Sequence, residues 1–209
     1  MRSVYVENPP EIHHAEPPVR RVDDKRGSFG MALFITSEAT LFAVMFFTYY
    51  YVEKGNVQRW SLEEPPKLHY ALPQLAILLL SSVVLHWGEK QAKQEKRGAA
   101  RMGIFGTVLL GISFLALSAF DYSEHLLHLT PWSNAYGSIF YTIISLHVAH
   151  LSLGLLMLIW VSLLPRWEPA LRSPHRPYHN VSLYWHFVDT VWVFIVALLY
   201  VAPNIYSSL

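Results

Sequence analysis

The stretch YGSIFYTIISLHVAHLSLGLLMLIWVSLL, running from Tyr136 to Leu164, contains no Asp, Glu, Lys or Arg. It exceeds the roughly 20 apolar residues that a helix needs to cross a bilayer. Its apolar residues also surround the helix rather than forming the single stripe of a soluble amphipathic helix. Four further segments read the same way: Ser28 to Val52, Tyr70 to Gly88, Met102 to Phe120, and Val181 to Val201. Two of them hold one acid each, Glu38 in the first and Asp189 in the last. A helix satisfies its own backbone in lipid, so the sequence predicts an all-α integral membrane protein, a bundle of five transmembrane helices.

Working outward, charged residues make up only 15% of the 209 residues, against 53% hydrophobic. About a quarter charged is usual for a soluble domain, so the shortfall is what leaves the long uncharged runs. The net charge of +1 gives nucleic-acid binding no support. With no Cys in the chain, disulfides, thiolate metal sites and a Cys nucleophile are excluded. Residues 1–27 read as a polar, Pro-rich tail with the pairs Pro9-Pro10 and Pro17-Pro18, and residues 28–209 as the membrane domain. The tail lacks the apolar run of a signal peptide.

Lys and Arg orient the bundle. Arg2, Arg20, Arg21, Lys25 and Arg26 precede the first span. Lys90, Lys93, Lys96, Arg97 and Arg101 follow the second, and Arg166, Arg172 and Arg176 follow the fourth. Only Lys54, Arg59 and Lys67 fall on the other side. The expected topology therefore has a cytoplasmic N-terminus and a periplasmic C-terminus. Trp87, Trp160, Trp167, Tyr184 and Trp185 fall near the inner interface. Tyr49, Tyr50, Tyr51, Trp60, Trp132 and Tyr200 fall near the outer one, as an aromatic belt would. Gly103, Gly106, Gly111, Ser113 and Ser118 suggest that the third span packs inside the bundle.

Ionisable groups at bilayer depth are costly and are the first candidates for function. Glu38 lies about ten residues into its span, about 15 Å deep at 1.5 Å per residue. It is expected to be protonated or to have a hydrogen-bonding partner. His147 and His150, three apart on one face of the fourth span, are candidate partners. His186 precedes Asp189 by one turn and could pair with it. His86 sits near the inner end of the second span, and Asp121 and Glu124 near the outer end of the third. The plainer reading of all these groups is interhelical hydrogen bonding that holds the bundle together.

Metal chemistry is a poor fit. A haem between helices takes axial His from opposing helices, and His147 with His150 lie on one. A membrane di-iron oxygenase needs clustered His. Here His125 and His128 fall outside, His175 and His179 inside, and His13-His14 in the tail. About 30 Å of hydrocarbon would separate the two sides. No first-coordination metal site is expected, and neither a nucleophile elbow nor a phosphate loop is present. A small transporter coupled through Glu38 is a third class, but no matching pair of broken helices supports it.

Three stretches resemble subunit III of the haem-copper terminal oxidases. They are Gly30-Met-Ala-Leu-Phe-Ile-Thr-Ser-Glu38, Tyr136 through His147-Val-Ala-His150, and Tyr184-Trp-His-Phe-Val-Asp-Thr-Val-Trp192. They fall in family order on spans one, four and five, and the likeness covers roughly Gly27 to Val201. The resemblance implies a subunit that carries no haem or copper of its own, those groups residing in partner subunits. It implies direct packing on catalytic subunit I, with subunit II and a small subunit IV as further partners. It also implies support of proton uptake and protection of an enzyme that reduces oxygen to water with electrons from cytochrome c and pumps protons. A quinol oxidase subunit and a nitric-oxide-reductase accessory protein are the alternatives within the family.

By the same resemblance Glu38 matches the family's buried helix carboxylate, and His147 with His150 its paired-His motif. Trp185, His186 and Asp189 match its final-helix motif, and Asp121-Tyr122 its acid–Tyr pair. The longer form of the family has seven helices, of which the first two wall a lipid-holding cleft. This chain starts at the third, so a bound phospholipid would need another wall. The short form points to a bacterial inner membrane.

Overall fold

In the computed structural model, residues 24–55, 68–128, 135–163 and 175–206 are described, with side chains for 27–55, 68–124, 135–163 and 177–205. Within them every regular element is helical: α1 (Asp24–Gly55), α2 (Leu68–Lys93), α3 (Arg97–His128), α4 (Ala135–Leu163) and α5 (His175–Ile195). A π-helical turn, Val196–Val201, and a short helix, α6 (Ala202–Tyr206), continue α5. Five of the described segments are long and apolar enough to cross a membrane. Residues 1–23 of the expected tail, with His13 and His14, lie outside the described residues. So do Arg59, Trp60, Lys67, Trp132, Arg166, Trp167 and Arg172.

Each helix is longer than its apolar run. α1 begins at Asp24 rather than Ser28, and α3 runs from Arg97 to His128 rather than from Met102 to Phe120. A run of apolar residues marks the part that hydrocarbon would cover. The helix continues past it, because backbone hydrogen bonding does not stop where polar side chains begin. α2 and α3 are joined by a tight turn in which Gln94 and Glu95 donate to carbonyls of the last turn of α2. Glu95 takes a positive φ of 59° there.

α5 is the hub. It packs on α1, α2 and α4, while α3 closes the bundle between α2 and α4. Half of the apolar window of α5 is buried, against 6% for α1 and 33% for α3. The small residues of α3 had suggested that the third span would be the inner one. Instead they mark where α3 leans on its neighbours. A Cβ on Gly103 would stand 2.6 Å from the Cα of Gly88, and one on Gly111 would stand 2.9 Å from the Trp185 ring. Gly154 of α4 faces the same indole. Trp185, fully buried, therefore sits in a slot between two glycines on different helices.

Four belt aromatics are likewise corrected. Tyr49, Tyr184, Trp185 and Tyr200 are buried in the bundle, whereas Tyr50, Tyr51, Trp87 and Trp160 are exposed. Span position sets the depth of an aromatic, but only the neighbouring helices decide whether it points inward. α1 and α2 both pack on α5. Leu183 and Val193 of α5 and Leu198 of the following π-helical turn are exposed.

Candidate functional site

Two polar sites lie at bilayer depth, on opposite edges of α5. The first joins α1 to α4. Glu38 Oε2 is 2.8 Å from His150 Nε2, and His150 Nδ1 is 2.7 Å from the Leu146 carbonyl of its own helix. Because a carbonyl only accepts, the network assigns the hydrogen to Nδ1. The 2.8 Å contact on the other side then needs a second proton between Nε2 and Oε2. The pair thus holds one shared proton, either as carboxylic acid with neutral imidazole or as carboxylate with imidazolium, and is neutral overall. Neutrality is what makes such a pair tolerable in hydrocarbon.

The surroundings hold this pair in place. Tyr184 of α5 donates to the His150 carbonyl at 3.1 Å. Phe42 meets the imidazole edge-on with centroids 5.0 Å apart, and Phe34 stacks on Tyr184 at 5.9 Å. Of the two histidines considered for Glu38, only His150 reaches it. His147 is completely buried one turn away. It stacks on Trp192 at 4.8 Å with Phe114 at 5.9 Å, and neither ring nitrogen has a hydrogen-bond partner among the described residues. Three residues along a helix leave the two side chains about 60° apart, enough to send one imidazole to α1 and the other into the core.

The second site lies along the seam of α2 and α5. Ser82 of α2 donates to Asp189 Oδ2, and its hydroxyl is 2.7 Å from His186 Nδ1. His186 and Asp189 are thus joined through a serine on another helix, not directly. Nearer the basic end of the bundle, Glu89 is 2.8 Å from Lys93 Nζ and 2.9 Å from His179 Nδ1. Trp185 Nε1 donates to Ser81 at 2.9 Å beside this seam. His86 is exposed on the outside of α2.

Asp121 is buried near the far end of α3 and accepts from the Tyr200 hydroxyl at 3.2 Å. Tyr122 packs edge-on against Tyr141. The side chains of His125, His128 and His175 lie outside those described. Among the described residues, no group of three or more His, Asp or Glu is placed to hold a metal ion.

Sequence reading overlooked Ser82, Ser182 and Glu89. Serines are common in transmembrane helices, so neither serine carries a signal of its own. Glu89 falls one residue beyond the apolar run of the second span, where a carboxylate looks like an ordinary interfacial charge. The register of Ser81 and Ser82 against the Trp185-His186 pair could have hinted at the seam only once α2 and α5 were known to be neighbours.

A family model for cytochrome c oxidase subunit III matches residues 20–204. Among similar proteins is the cytochrome c oxidase subunit 3 of Synechocystis sp., 30% identical over 204 residues, covering 96% of this chain and 83% of the relative. That of Bacillus subtilis is 30% identical over 200 residues, with 91% and 93% covered. That of the lamprey Petromyzon marinus is 31% identical over 199 residues, with 90% and 72% covered.

Proposed function

The chain belongs to the cytochrome c oxidase subunit III family, and from that premise we propose that it is the non-catalytic neighbour that keeps proton uptake and stability intact in catalytic subunit I. As a subunit III it is part of a membrane-bound haem-copper oxidase, an oxidoreductase complex. In this reading haem and copper reside in partner subunits and the electrons come from cytochrome c. Subunit I packs directly on the bundle, with subunit II and a small subunit IV beyond it. Phospholipid fills the remaining apolar surface. The location is a bacterial inner membrane, with the N-terminus and the α2–α3 turn on the cytoplasmic side.

One observation carries the reading: Glu38 Oε2 stands 2.8 Å from His150 Nε2 at bilayer depth, while His150 Nδ1 is committed to the Leu146 carbonyl. A purely structural clamp could use a neutral amide or hydroxyl pair. A carboxyl–imidazole pair keeps a proton that can leave and return without leaving a net charge behind for long. The largely apolar outer side of α1 bears Phe29, Val44 and Phe47, and its exposed Thr36, Ser37 and Thr40 hydroxyls bond to the helix's own backbone, which suits a surface against lipid or another membrane subunit.

The test compares the complete oxidase with the same complex stripped of this chain, both reconstituted in vesicles. The stripped complex should still reduce oxygen, take up protons more slowly and inactivate after fewer turnovers. Equal uptake rates and equal lifetimes in the two preparations would overturn the reading.

A further inference from the structure

The α2–α5 seam holds a continuous chain of hydrogen-bonding side chains, and most of its members have no part in the Glu38 site. It starts at Glu89, which is held by Lys93 and His179 at the basic end of the bundle. The Ser182 hydroxyl of α5 faces the same carboxylate and favours its charged form. The Ser182 hydroxyl lies 3.4 Å from His186 Nε2. His186 Nδ1 lies 2.7 Å from the Ser82 hydroxyl, and Ser82 donates to Asp189 Oδ2. The path covers the two turns of α2 between Glu89 and Ser82, about 10 Å along the helix axis. The other carboxylate oxygen of Asp189 is buried and has no hydrogen-bond partner among the described residues.

We propose that this chain, Glu89–Ser182–His186–Ser82–Asp189, is a proton relay from the basic end of the bundle to a carboxylate at bilayer depth. The proposal rests on the reading of this subunit as a support for proton uptake, and it places a path within the subunit itself. Every interior member can both accept and donate: two hydroxyls that rotate and an imidazole with one nitrogen facing each. A structural ion pair would need no such alternation. Ser82 and His186 are also only partly buried. Half-exposed polar groups at this depth are costly against lipid, which favours a use for them.

The proton count closes. Burial disfavours the Glu89 carboxylate, but Lys93 and His179 outweigh this and hold it ionised at rest. The count therefore begins when Glu89 takes up a proton from the basic-end side, with a hydrogen on His186 Nδ1 and Asp189 ionised. Glu89 gives its proton to the Ser182 oxygen while Ser182 gives its own to His186 Nε2. Nδ1 releases its hydrogen to the Ser82 oxygen, and the Ser82 hydrogen passes to Asp189. One proton has moved from Glu89 to Asp189, each serine has gained one and lost one, and the imidazole has changed tautomer. The chain resets when Asp189 passes the proton to an acceptor outside this chain, the hydroxyls rotate back and the His186 ring turns to bring its hydrogen again to the side of Ser82. Lys93 and His86 from α2 and Tyr178 and His179 from α5 are the charged or titratable groups nearest the path.

The test uses the whole oxidase complex, oriented in vesicles, with infrared spectroscopy of the Asp189 carboxyl. Its band is identified as the one that Asp189→Asn removes. A pH jump on the basic-end side should protonate Asp189. Ser82→Ala should slow that response about a hundredfold, the lower end of what a positioned proton-transfer group contributes, and Ser82→Thr should restore it. Ser182→Ala should slow it too, which keeps the test open if Ser82→Ala fails to assemble. An unchanged rate in Ser82→Ala, or an Asp189 band that ignores the pH of that side, would overturn the relay. This readout needs no turnover. A complex whose uptake is indifferent to the whole subunit would instead count against the proposed function.

Discussion

His150 of α4 stands with Nε2 2.8 Å from Glu38 Oε2 of α1, while its other ring nitrogen is already committed to the Leu146 carbonyl. This is the hydrogen bond that ties the most exposed helix of the bundle to the rest at mid-depth. It separates two roles that a single substitution would confuse, attachment of α1 and storage of a proton.

Glu38→Gln keeps a hydrogen-bonding partner for His150 but cannot release a proton. The complex should retain this subunit at the normal ratio to haem, yet inactivate after fewer turnovers. Counting turnovers to half-inactivation in the purified complex, with subunit content checked on a gel, decides it.

His150→Leu leaves Glu38 facing an apolar side chain, at a cost of about 1–3 kcal/mol for an unpartnered polar group. Subunit retention in detergent should fall, and Glu38→Leu in the same chain should recover much of it. His147→Leu should cost less than about 1.5 kcal/mol, because the buried imidazole of His147 makes no hydrogen bond among the described residues. Equal losses for the two histidine variants would contradict the assignment of His150 alone to Glu38.

Glycines on α3 should differ in what they tolerate. Gly103→Ala meets the backbone of Gly88 at 2.6 Å, and backbone cannot yield without moving α2. A loss of about 1–3 kcal/mol is expected from overpacking. Gly98→Ala has nothing within 4 Å and should be silent. Thermal dissociation of the subunit from the complex, followed for both variants, measures the contrast.

Ser81 and Gln74 lie seven residues apart on one face of α2, as Trp185 and Trp192 do on the antiparallel α5. Ser81 accepts from Trp185 Nε1, whereas the amide of Gln74 and the Nε1 of Trp192 have no partner among the described residues. Ser81→Ala should strand the Trp185 N–H and cost about 1–3 kcal/mol. Gln74→Leu should leave the melting temperature of the complex unchanged or higher.

The chain has no Cys, so single cysteines can report sidedness. Gln94→Cys in the α2–α3 turn should resist a membrane-impermeant maleimide added to intact spheroplasts. Ile205→Cys, exposed at the opposite end, should react. The reverse labelling pattern would invert the proposed orientation.

Much of the bundle is legible along the chain. The five apolar runs mark the helices, and Glu38 and Asp189 stand out because each is the only acid in its run. The pairing of these acids is not legible in the same way. His147 and His150 look interchangeable as partners of Glu38, yet α4 presents them to different neighbours. Ser82 has no distinguishing mark in sequence, and becomes a link between His186 and Asp189 only because α2 lies along α5. Trp185 reads as an interfacial aromatic until Gly111 and Gly154 are seen to make room for it inside.

By itself, then, the sequence determined that the chain spans a membrane, where its helices run and which few residues carry chemistry. Apolar length and isolated charge are properties of one segment at a time, and the cost of leaving lipid or entering it applies to each segment separately. Only the tertiary structure decided that α5 is the hub, that Glu38 meets His150 rather than His147, and that Asp189 meets Ser82 of another helix. Those outcomes depend on helix neighbours and rotation. Glycine-sized contacts and hydrogen-bond geometry set them between segments far apart in the chain, where the run of apolar residues carries no information.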